Sequence, residues 1–135
     1  MGFRRLIAEQ VKTGAGAHPA ASPFDKCIGA ELGVRTFGLY QVELPSGAET
    51  VRHDHRDDHA EDAYVVLRGT GIVVVDGDDV SVGPGDFIAV TPDSARYVRA
   101  GDGGLVFIAI CAPLAASARC PSMSANSSRR RSGGS

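Results

Sequence analysis

Short runs of Val, Ile, Phe and Tyr, broken at close intervals by Gly, Pro and Asp, fill the chain from about residue 34. Eight runs stand out, at 34–44, 51–55, 62–68, 71–75, 79–82, 86–91, 95–99 and 105–111. Runs of this length with turn residues between them predict β-strands. The N-terminus reads differently. Phe3, Leu6, Ile7, Gln10 and Val11 recur near helical spacing and predict a short amphipathic helix over residues 3–12. "GAGAHPAASP" after it reads as a linker, with His18 beside Pro19 a linker residue.

The breaks between runs carry their own mechanism. In "DGDD" at 76–79 the Asp-Gly pair tolerates the positive φ of a tight hairpin turn. In "VGPGD" at 82–86, Pro84 presets the first φ of a type II turn and Gly85 supplies the second. The middle of the chain is therefore a series of antiparallel hairpins. With no helix between the strands, the expected fold class is all-β, a sandwich or small closed barrel that covers its sheet edges. In "DAYVVLR", Asp62, Tyr64 and Val66 share one face while Ala63, Val65 and Leu67 share the other, and "LVFIAIC" is likewise apolar on both sides. One face fills the interior. The other needs a cover, either the N-terminal segment or a second copy, so a homodimer is expected.

Composition narrows the partners. A chain of 135 residues suits one domain. Its net charge of −2 hides a basic tail holding Arg119, Arg129, Arg130 and Arg131; without them 14 − 4 = 10 basic residues face 16 acidic ones. An acidic body speaks against nucleic acid as a partner. No run approaches the roughly 20 apolar residues of a membrane span, nor is there the apolar run of a signal peptide, so a cytoplasmic protein with no membrane partner is expected. Cys27, Cys111 and Cys120 have no CxxC spacing and are expected to be reduced. The division expected is an N-terminal extension at 1–33, a barrel at 34–114 and a disordered Ser/Arg/Gly-rich tail at 115–135.

Chemistry concentrates in "VRHDHRDDHAED" at 51–62. If residues 51–55 form a strand, Val51, His53 and His55 point inward while Arg52, Asp54 and Arg56 face water. Two inward imidazoles need partners, and a metal ion satisfies both. The alternative is a charged loop that binds nothing.

This stretch, with Gly47 before it, "EDAYVVLRGTG" after it and "GPGDFIAVTPDSARY" beyond, resembles the two motifs of the cupin superfamily, over roughly residues 34–112. Gly47, His53 and His55 match the first motif without a gap, and Gly69 its closing glycine. The resemblance implies a double-stranded β-helix (cupin, or jelly-roll) barrel with a short N-terminal helix or extension. It also implies a divalent metal (Fe, Mn, Zn, Ni or Cu) held by His53, His55 and a third group. Counting back from Gly69 gives Asp62 as that group; counting forward from His55 gives His59. Asp62 is preferred because the strand after it fixes its register. The second motif is looser: its histidine falls at Tyr97 and its glycine at Ser94, so a four-ligand set is incomplete. Alternation from Tyr97 turns Arg96 outward. Tyr97 and Tyr64 are expected to line the cavity. Isomerase, cyclase and dioxygenase chemistry on a small organic substrate are all implied, as is a non-catalytic small-molecule-binding barrel with a degraded metal site. No catalytic residue is singled out.

Overall fold

The computed structural model describes residues 2–14 and 18–113. Six antiparallel strands and one short helix make up its regular structure: β1 (Asp25–Lys26), α1 (Ile28–Leu32), β2 (Gly38–Leu44), β3 (Glu61–Val75), β4 (Asp78–Val82), β5 (Phe87–Val90) and β6 (Arg96–Ala112). The order is β1-β2-β6-β3-β4, with β5 on β3. The fold is the all-β barrel expected from the hairpins.

Two long strands organise it. Four of the predicted runs join in pairs, 62–68 with 71–75 into β3 and 95–99 with 105–111 into β6. The first half of β3 pairs with the second half of β6, Glu61↔Ala112 through Gly69↔Leu105. The register then shifts between Gly69 and Gly71, and Gly71–Val75 pairs with Ala100–Arg96. A β-bulge bends the ladder here, and glycine is required. A Cβ on Gly69, whose φ is +81°, would stand 2.2 Å from the Gly104 carbonyl oxygen, and one on Gly71 2.4 Å from that of Arg99.

The alternation of β2 is complete: Gly38, Tyr40, Val42 and Leu44 are buried, and the residues between them half-buried. Tyr64 and Val66 of β3 and Val98, Leu105 and Phe107 of β6 meet them inside. Tyr64 and Phe107 pack edge to face at 5.3 Å. Both expected turns are present. Asp76 (φ 50°) and Gly77 (φ 86°) form the two-residue β3–β4 connection; Asp86 N donates to Gly83 O at 3.0 Å, with Gly85 at φ 88°.

Several expectations fail. The helix over 3–12 is a single 3-10 turn at Ala8–Gln10, with Phe3 74% and Ile7 48% exposed. So short a segment gains more by bonding to its neighbours than from its own helical turns. Gly14 N donates to Asp25 O at 2.8 Å, and Lys26 Nζ to Ala8 O at 3.0 Å. Residues 18–24 are no free linker but a strap against the barrel: Ala21 is buried, and Val51 N donates to Ala20 O at 2.6 Å. The run at 51–55 forms no ladder, only an isolated bridge, His53↔Arg96. Val51 is 60% exposed rather than inward. Cys111 is free and buried as expected, whereas Cys27 is disulfide-bonded. The tail assigned to 115–135 lies outside the described residues.

Candidate metal centre

The backbone of β6 and the turn before it hold the histidine segment in place. His53 N donates to Arg96 O at 3.0 Å and Arg96 N returns to His53 O at 2.8 Å, while His55 N donates to Pro92 O at 2.8 Å. These bonds keep residues 53–55 extended without a full strand, so His53 and His55 both turn inward and are half-buried. Beyond them the chain turns: His59 N donates to His55 O at 2.8 Å, with His59 at φ 58°. This left-handed residue closes the turn, and its side chain is exposed, apart from the other two imidazoles. Ala60 follows, fully buried, and Asp62 is the first inward residue of β3, paired with Val90 on one side and Cys111 on the other.

His53, His55 and Asp62 thus converge, with one ligand atom from each lying within 4.8 Å of the others. The two rings are 5.1 Å apart between centroids and nearly perpendicular. Their Nε2 atoms stand 3.9 Å (His53) and 3.3 Å (His55) from Asp62 Oδ2. Donors sharing a tetrahedral ion at ~2.1 Å lie roughly 3.4 Å apart, so the set fits a metal ion of that size.

The far side of each ring supports the same reading. His53 Nδ1 is 3.0 Å from Val51 O, and His55 Nδ1 is 3.1 Å from Asp58 Oδ1. A carbonyl or carboxylate oxygen only accepts, so each Nδ1 carries a proton, and each Nε2, which faces Asp62, is the nitrogen left to give its lone pair to an ion. Burial pushes the His53 imidazole below its usual range and keeps it neutral. With both rings in the form that binds metal, three acceptors face one another, an arrangement that a cation between them satisfies.

One cation is already there. Arg96 is fully buried, its Nη1 donating to Asp62 Oδ2, its Nε to Ser94 O at 3.1 Å and its Nη2 to Thr91 O at 2.7 Å. The sequence reading put Arg96 outside and Tyr97 in the cavity, and the structure has the reverse. Directly paired antiparallel residues share a face, so the His53↔Arg96 bridge brings Arg96 inward beside the histidines. Tyr97 is half-buried on the outer face, paired with Val74. The signal was present in the sequence: Val98 and Ala100, both apolar, alternate with Arg96 on the inner face. Tyr64 does turn inward, and its hydroxyl donates to Asp62 Oδ2 at 3.3 Å. Burial, then the Asp62 charge, holds the Tyr64 phenol protonated, and the same causes push the Cys111 thiol up to about 12.

His18 was missed. Its ring packs edge-on against Tyr40 at 4.6 Å and lies 6.4 Å from His53. Burial, and then His53, lower its pKa to about 4. No sequence spacing links it to the other two, since the strap that carries it is placed by backbone hydrogen bonds. An open groove of about 580 Å³, lined by Phe24, Leu44, Arg68 and Leu105 among others, lies toward the other end of β2, β3 and β6 and shares no residue with this cluster.

Comparison with known proteins bears on the fold. A family model for the cupin domain matches residues 40–111. Among solved structures, a cupin protein from Bacteroides fragilis superposes with a TM-score of 0.67 at 20% identity, over 84% of this chain and 86% of that one. An RmlC-like cupin from Desulfovibrio desulfuricans gives 0.55 at 24% identity, over 60% and 76%. KdgF from a Halomonas species gives 0.55 at 18%, over 60% and 72%. No curated protein matches the chain in sequence.

Proposed function

The chain belongs to the cupin domain family, and on that premise we propose that it is a small metal-dependent enzyme acting on an organic substrate at the barrel mouth. The observation that carries this reading is the convergence of His53 Nε2, His55 Nε2 and the Asp62 carboxylate, with both Nδ1 atoms engaged behind them. A bound divalent ion would polarise a substrate carbonyl or activate water.

The chain's own groups set the conditions. Val51 O and Asp58 fix the tautomers of the two rings. Arg96 and Tyr64 hold Asp62 from below, so its carboxylate stays in register with the rings. Because the His53 and His55 side chains remain 24% and 16% exposed, small molecules have access from one side.

A second reading has its own support. Arg96 already neutralises Asp62, which favours a non-catalytic barrel that binds a small molecule without metal. Elemental analysis of protein purified without a histidine tag separates the two. A stoichiometric metal that disappears in the His53→Ala, His55→Ala double variant supports the enzyme reading, and metal-free wild-type protein overturns it.

The outer face of the sheet, which carries Val65, Leu67, Ile108 and Ile110 together with a 79% exposed Phe87 paired with Val65, is proposed to pair with a second copy. A monomer in sedimentation at high concentration would exclude that.

A further inference from the structure

His18 is the polar group beside the centre that the three-donor arrangement leaves unused. Its Nδ1 is enclosed and has no hydrogen-bond partner. Burying such an atom unsatisfied is unfavourable, a cost that a ligand removes. The strap fixes the residue: Ala21 N and Ser22 N both donate to His18 O at 3.0 Å. Ala20 O accepts from Val51 N, two positions before His53. His18 is therefore tied to the very segment that presents the first histidine.

The barrel offers three donors, and Arg96 fills the inward position of β6 beside them, bonded to Asp62. Imidazoles sharing one ion place their centroids roughly 5 Å apart, which is the separation of His53 and His55. His18 stands 6.4 Å from His53. A shift of about 1 Å, within reach of its side-chain torsions, would bring it to the same spacing.

We propose that His18 is a fourth protein donor to the ion held by His53, His55 and Asp62, delivered by the N-terminal strap instead of by β6. The inference rests on the metal reading above. A set of three imidazoles and one carboxylate suits a transition metal such as manganese, iron, nickel, copper or zinc, and a six-coordinate ion would keep two positions for substrate.

The test uses the full chain, tag-free, as wild type, His18→Phe and His18→Gln. Phenylalanine keeps the ring against Tyr40 and removes both nitrogens. Cu(II) is added and the electron paramagnetic resonance spectrum read for nitrogen couplings, with Cu(II) and Zn(II) affinities taken from chelator competition. Circular dichroism and urea unfolding establish that each variant is folded, and the glutamine variant stands in if the phenylalanine one is not. The expected result is three coupled imidazoles in the wild type and two in the variants, with affinity lower by about tenfold or more. Two couplings in the wild type, or variants with wild-type affinity and spectrum, would overturn the inference while leaving the three-donor centre intact. Wild-type protein that binds neither ion overturns the metal reading and the inference together.

Discussion

Replacing Arg96 with methionine separates the electrostatic roles of this centre. The guanidinium contacts Asp62 Oδ2, and a metal on that carboxylate would sit ~2.1 Å from its oxygen, so the two cations would be about 5 Å apart. Charges of +1 and +2 at that distance repel by about 7 kcal/mol at an effective dielectric of 20, and about 3 at 40. The half-exposed histidines argue for the lower figure. Arg96→Met should therefore raise Zn(II) affinity at least about tenfold, or about 1.4 kcal/mol, even if most of the repulsion is screened. The same change leaves Asp62 and two backbone carbonyls without their partner, which costs about 3–5 kcal/mol of folding stability in metal-free protein. Urea unfolding with and without Zn(II), beside chelator competition, measures both. A folded Arg96→Met protein with equal or weaker metal affinity would refute the reasoning. The positioning of Asp62 by Arg96 would then outweigh its competition with the ion.

The third donor is tested by ranking: Asp62→Ala should lower metal occupancy at least about tenfold while the exposed His59→Ala leaves it within about twofold, as measured by elemental analysis. Acid sensitivity follows from His18. Its folded pKa of about 4 lies below the unfolded 6.5, so the unfolded chain binds more protons in that window. Stability present above pH 6.5 is lost as pH falls toward 4, by up to about 3 kcal/mol, and urea unfolding of metal-free His18→Phe should show a shallower decline. Asp25 has the opposite sign. Fully buried, with neither carboxylate oxygen hydrogen-bonded, it has its pKa raised by burial, so its ionisation destabilises the fold above that pKa. Asp25→Asn should be more stable than wild type at pH 7, with the gain fading as pH falls below the ordinary carboxylate range.

Hairpins were legible because their turn chemistry is local: Asp76-Gly77 and Pro84-Gly85 specify their turns from adjacent residues. The joining of four runs into two strands was not. It depends on Gly69 and Gly71 accommodating a bulge against Gly104 and Arg99, contacts some 30 residues away in the chain. The inward pair His53 and His55 was readable from alternation, although a two-residue exchange with Arg96, not a strand, enforces it. Arg96 was misplaced because the motif position at Tyr97 was weighed above the apolar company of Val98 and Ala100. His18 had no pattern at all, being positioned by hydrogen bonds from a strap to a loop.

Asp62 follows His53 by only 62 − 53 = 9 positions, so the unfolded chain can also offer these three donors to an ion. An ion that binds both states stabilises the folded one only by the difference between them, so any shift in melting temperature understates how tightly it is held. Arg96 reaches Asp62 from 34 positions downstream, and His18 reaches the centre from 53 − 18 = 35 positions upstream. An ion captured early by the short loop would be challenged by the arginine and embraced by the histidine only as folding ends, which makes retention, not capture, the step that the finished barrel decides.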